Sequence, residues 1–81
     1  MNIHKGHLRY IKDLPLAAFL QEQGFELSDF YREDDIVFFG FEPHPQLDEK
    51  ISEFRRGVAT GNIQRFLQNM NMLKRIIFDD K

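Results

Sequence analysis

The chain has 81 residues, no cysteine, and a formal net charge of −2. That length leads us to expect one hydrophobic core, and the absence of thiols excludes disulfide staples, zinc–thiolate sites and cysteine nucleophiles. No apolar run approaches the roughly 18 residues that a bilayer-crossing helix needs, and Met1-Asn2-Ile3-His4-Lys5 lacks the apolar segment of a secretory leader, so a cytoplasmic protein is the expectation.

Nine phenylalanines are available for the core. Each can bury roughly 150–250 Å², enough to anchor a small domain without metal or disulfide. The charge is unevenly spread along the chain. Lys5, Arg9 and Lys12 have no acid among the first twelve residues. Residues 13–53 then hold eleven acids against Arg32 and Lys50. Between residues 54 and 78 the sign reverses, with Arg55, Arg56, Arg65, Lys74 and Arg75 and no acid at all. Such asymmetry bears on partners rather than on fold.

In chain order, residues 1–6 read as a loose arm, and His7 to Lys12 alternates weakly enough for only a short strand. Asp13 is suited to capping a helix, with Pro15 in the first turn where its missing N–H is no loss. Leu16, Ala17, Phe19 and Leu20 form the apolar face of a helix over 14–23, which Gly24 terminates. Phe25 to Tyr31 alternates and predicts a strand. Arg32-Glu33-Asp34-Asp35 reads as a polar turn, followed by the strand Ile36-Val37-Phe38-Phe39-Gly40-Phe41, which is apolar on both faces. A hairpin centred on that turn pairs Tyr31 with Ile36, Asp29 with Phe38 and Leu27 with Gly40. It gathers Phe30, Val37, Phe39 and Phe41 on the other face. Gly40 marks a bulge or a close backbone approach.

Pro43 and Pro45 break the chain. Leu47, Ile51, Phe54 and Val58 then give a helix over about 46–57. Gly57 to Gly61 is a second break. Thr60 or Asn62 caps a third helix, whose stripe of Ile63, Phe66, Leu67, Met70, Leu73, Ile76 and Ile77 runs to about residue 78. The fold class that follows is α+β, in the order (β)αββαα. A two- or three-stranded antiparallel sheet packs on helices in a single domain spanning residues 1–81.

Asp13-Leu14, Leu16-Ala17-Ala18-Phe19-Leu20, Gly24-Phe25, Val37-Phe38-Phe39 and Leu73-Lys74 together resemble a family of short bacterial and prophage proteins known only as a domain of unknown function. Its members look like a capped Leu-Ala-Ala helix ending in Gly-Phe, an aromatic-rich hairpin, and helices closing on a Leu-Lys pair. The similarity covers about residues 9–77. One departure is that members usually carry hydroxyl residues before the capping Asp, where this chain has Ile11 and Lys12. The resemblance implies a prokaryotic or phage origin and an accessory role beside mobile-element genes. It supplies no catalytic residues.

Two surfaces compete as the functional one. Arg55, Arg56, Arg65, Asn69, Lys74 and Arg75, with Gln68 and Asn71 on a nearby strip, bring the guanidinium and amide groups that contact phosphates and base edges. They are candidates for binding nucleic acid or an acidic partner. The bland reading of the same residues is a solvated helix face whose cations complement the C-terminal dipole. Phe30, Val37, Phe39 and Phe41 form the second candidate. They are either buried beneath the third helix or the protein interface of a partner or homodimer. Anionic phosphate is disfavoured near them, because Glu26, Glu33, Asp34, Asp35 and Glu42 flank the run.

His4, His7 and His44 lack placed carboxylates, so neither metal nor cofactor is expected. Ser28, Ser52 and Thr60 lie in no nucleophile motif. The sequence therefore argues for a non-catalytic binding or accessory protein using the basic C-terminal region. The alternative is a protein-interaction module or homodimer using the aromatic sheet face.

Overall fold

A computed structural model describes residues 6–79. The arm expected over residues 1–6, including His4 and Lys5, lies outside the described residues apart from Gly6. In order, the elements are β1 (Arg9–Ile11), α1 (Leu14–Glu22), β2 (Leu27–Glu33), β3 (Ile36–Phe41), α2 (Leu47–Arg55) and α3 (Ile63–Asp79). The strands form one antiparallel sheet in the order β1-β3-β2, so the apolar strand is central. This is the expected α+β architecture, and the first strand is present, though only three residues long.

Local chemistry sets the helix ends. Asp13 has extended backbone and accepts a hydrogen bond from the Leu16 amide at 3.3 Å, with Pro15 in the first turn. Gly24, at φ +96°, lets the chain double back so that the Phe25 amide donates to the Leu20 carbonyl and the Gly24 amide to that of Gln21. α2 ends the same way at Gly57, with Val58 donating to the Glu53 carbonyl. Asn62, rather than Thr60, caps α3, its Oδ1 accepting from the Arg65 amide at 2.9 Å. Asn62's own amide donates to Glu22 at 2.9 Å, which ties the start of α3 to the end of α1.

The core lies between the sheet and the helices. Leu16, Ala17, Ala18, Phe19 and Leu20 are all buried, so α1 is enclosed on every side rather than only along one stripe. α1 packs against both α2 and α3, and the two alanines permit close approach. Val37, Phe39 and Phe41 complete the core from β3, with Ile11, Leu47, Ile51 and Leu73 around them.

The hairpin departs from the sequence expectation in register. Asp34 and Asp35 both have positive φ (53° and 65°) and make a two-residue turn between Glu33 and Ile36. The turn expected to take four residues takes two, so Tyr31 pairs with Phe38 and Phe30 with Phe39 instead of Tyr31 with Ile36. A shift of two residues leaves each side chain on its own face, because side chains alternate with period two. Only an irregularity between Leu27 and Asp29 changes a face. It brings Leu27 opposite Phe41 and packs it against the core, where alternation alone had put Ser28.

Candidate nucleic-acid interface

The acid-free run of cations from 54 to 78 does not form one patch. On α3, a helix of 3.6 residues per turn puts Arg65 and Lys74 on roughly opposite sides, with Arg75 about a quarter-turn from either. All three are exposed and diverge. Asn69 is turned inward, its Nδ2 donating to the Ala18 carbonyl of α1 at 3.4 Å, so it serves helix packing. Arg55 and Arg56 stand at the end of α2, a separate element that also packs on α1. The residues chosen as one binding strip are thus split between two regions. The reason is that chain proximity sets charge sums, whereas helix phase and packing set where the charges point.

The last carbonyls of α3 are not served by Lys74 or Arg75, which lie too early in the helix. Arg32 reaches across from β2 and donates from its guanidinium to the Ile77 carbonyl. A cation at a helix C-terminus is favoured by the exposed carbonyl charge, but here tertiary contact supplies it.

Cations converge elsewhere. Arg9, Tyr10, Ile11, Lys12, Asp13, Phe38 and Arg55 line a cleft of about 400 Å³ at the free edge of the sheet. β1 contributes consecutive residues, and the end of α2 closes one side with Arg55. Among the described residues, Arg9 pairs with Asp48 at 2.6 Å, whereas Lys12 and Arg55 make no ion pair. The single acid in the lining, Asp13, is engaged as the cap of α1. Lys12 belongs to the basic N-terminal segment and Arg55 to the basic C-terminal run. Folding joins two cationic segments that the sequence separates by an acidic stretch.

The outer face of the sheet forms the rest of this site. Tyr10, Gly40 and Asp29 are neighbours in one row across the three strands. Tyr10 lies down across Gly40, where even a methyl group would come within 2.7 Å of its ring, and its hydroxyl donates to Asp29 at 3.0 Å. That is why a glycine interrupts an otherwise aromatic strand. In the next row Tyr31 and Phe38 stack, with centroids 4.9 Å apart and planes 13° from parallel. Tyr31 stands at 72° to Tyr10, centroids 5.0 Å apart. Tyr10 is therefore a floor and Phe38 a wall, both bordering the cleft.

The aromatic face proposed as an interface lies on the inside. Val37, Phe39 and Phe41 are buried in the domain's own core, in one cluster with residues of all three helices. Of the four residues only Phe30 reaches solvent, at 39% exposure. An interface built on this face would have to displace the helices. Sequence reasoning saw both apolar faces of β3 but assigned no role to Tyr10, Tyr31 or Phe38. The available signal was Gly40 opposite a tyrosine-bearing strand, and reading it required the β1–β3 register.

His7 stands 3.7 Å from Glu42, and His44 packs edge-on against Phe25. Among the described residues no group of three or more His, Asp or Glu side chains is placed to hold a metal ion. No helix among them is long and apolar enough to cross a membrane.

Residues 7–79 match the family described as Domain of unknown function (DUF5659). The chain belongs to that family. The match covers every secondary-structure element, so the fold described here is that of the family domain in this chain. No curated protein and no solved structure gives a match.

Proposed function

We propose that this domain is a non-catalytic binding module that holds an anionic polymer, nucleic acid or an acidic protein segment, in the cleft at the β1 edge. The observation that carries this reading is the meeting of Lys12 and Arg55 at one cleft, without acid partners and beside Arg9. Lys12 and Arg55 outnumber the one carboxylate in the lining, Asp13, and cations in a concave setting attract anions more strongly than the same charges spread over a convex surface. Arg65, Lys74 and Arg75 contribute long-range attraction rather than a shared contact. A bacterial or prophage origin, an accessory role beside mobile-element genes and a cytoplasmic location are part of this reading, and the resemblance of the helix and hairpin motifs supports them.

The test is fluorescence anisotropy with a labelled 20-nucleotide strand, the matching duplex and labelled polyglutamate in low salt. Lys12→Glu with Arg55→Glu should weaken binding at least tenfold. It should also flatten the dependence of log affinity on log salt by about 1–2, as expected for one or two lost phosphate contacts. Arg65→Glu with Arg75→Glu should weaken it less than threefold. Equal losses from the two pairs would remove the cleft from the proposal. Absence of binding to all three probes would end the proposal altogether.

A further inference from the structure

We infer that the occupant of the cleft is a single-stranded nucleic acid, held with a base against Tyr10 and Phe38 and its phosphates on Lys12 and Arg55. This rests on the anion-binding reading above and adds to it the recognition of bases. Cations alone do not distinguish a phosphate chain from an acidic peptide. The cations here share their cleft with two aromatic rings set at a steep angle, one as floor and one as wall. Proteins that hold single strands without reading sequence combine a cationic track with aromatic faces, because every base has a face to stack. A carboxylate side chain gains nothing from such a corner. A paired base, already stacked within its duplex, does not reach into it.

The corner is also rigidly held. Tyr10 is fixed by its hydrogen bond to Asp29 and by its seat on Gly40. Phe38 is backed by the Tyr31 ring. Rings placed before the ligand arrives lose little freedom on binding it. A cleft of about 400 Å³ falls within the ~300–1,000 Å³ range of sites that take nucleotide-sized groups. The hairpin acids Glu33, Asp34 and Asp35 lie at the β2–β3 turn, on the side of the sheet away from the β1 edge, so a strand entering from that edge meets the cations first.

The chain has two tyrosines and no tryptophan, and both tyrosines belong to this cluster. Intrinsic tyrosine emission therefore reports on the site without a label. The experiment titrates the full chain with a 12-nucleotide thymidine strand and an abasic 12-mer carrying the same phosphates. A duplex, polyglutamate and thymidine monophosphate complete the series. The thymidine strand should quench the emission and bind at least tenfold more tightly than the abasic strand, the duplex or the polyglutamate. Phe38→Leu keeps apolar bulk on the sheet. It should lower affinity for the thymidine strand to near that of the abasic one, while leaving abasic binding unchanged.

Equal affinity for thymidine and abasic strands would overturn base stacking yet leave the anion site standing. Tighter binding of polyglutamate or duplex would overturn the single-strand assignment. Thymidine monophosphate binding as tightly as the 12-mer would replace the strand with a free nucleotide. No binding of any probe would sink this inference together with the reading beneath it.

Discussion

The two faces of β3 carry similar side chains and do different work. Val37, Phe39 and Phe41 on the inner face cluster with buried residues of the three helices and make the core. Phe38 on the outer face is only half-buried, covered by Tyr31 and neighboured by Tyr10, with no helix above it. Burial by a helix layer removes a ring from water completely. Burial by neighbouring rings leaves part of each ring accessible. The comparison teaches that hydrophobicity of a strand says that both faces need cover, but not what kind of cover each receives.

The sharpest way to break this comparison is to truncate one ring on each side. Phe39→Ala should cost about 3–5 kcal/mol, since it leaves a cavity the size of a phenyl ring in a packed core. That is much of the stability that a domain of this length has, about 0.05–0.15 kcal/mol per residue. Phe38→Ala should cost only about 1–2 kcal/mol. Urea denaturation followed by circular dichroism measures both, and equal losses would show that the outer face is as deeply structural as the inner one.

A smaller effect tests the seat of Tyr10. Gly40→Ala places a methyl group against that ring and should destabilise by about 1–3 kcal/mol. In a Tyr10→Ala background the same change should cost at least about 1 kcal/mol less, because the clash is gone; a double-mutant cycle reads this coupling. Additive losses would mean that Gly40 is needed for some reason other than Tyr10.

The smallest expected effect is a gain, at the turn that sets the register of both faces. Asp34 and Asp35 sit in left-handed backbone, which a residue with Cβ adopts at a cost of about 1–2 kcal/mol. Asp35→Gly should therefore raise the denaturation midpoint, equivalent to about 1 kcal/mol, without altering the fold. A loss of stability would show that the Asp35 side chain contributes more than its backbone costs.

Much of the fold was legible because its signals are local. Asp13, Pro15 and Gly24 mark the limits of α1 through backbone groups within a few residues of one another, and the 3.6-residue stripe marks α3. The register was not legible, because Arg32 to Asp35 is compatible with a four-residue or a two-residue turn. The difference lies in how the strands pair. The irregularity that turns Leu27 inward has no composition signal either. The candidate site was less accessible still. Of the residues singled out along the chain for binding, Arg55 is at the cleft, Asn69 braces α1, and Arg65, Lys74 and Arg75 point apart. Lys12, Tyr10 and Phe38 were in view only as parts of strands and charge runs.

By itself, the sequence determined the order and kind of the elements, the limits of α1, and which strand needs cover on both faces. It also determined that cations cluster in two stretches of chain. These are properties of neighbouring residues, governed by backbone hydrogen bonding and side-chain periodicity over one or two turns. Only the tertiary structure decided that the helices take the inner face and that Tyr10 folds over Gly40 to reach Asp29. It also brought Lys12 to Arg55, across the acidic stretch that separates them in sequence. Those outcomes depend on strand register and helix phase across separations of 19 to 43 residues, where packing against a shared core, not local preference, selects the partner.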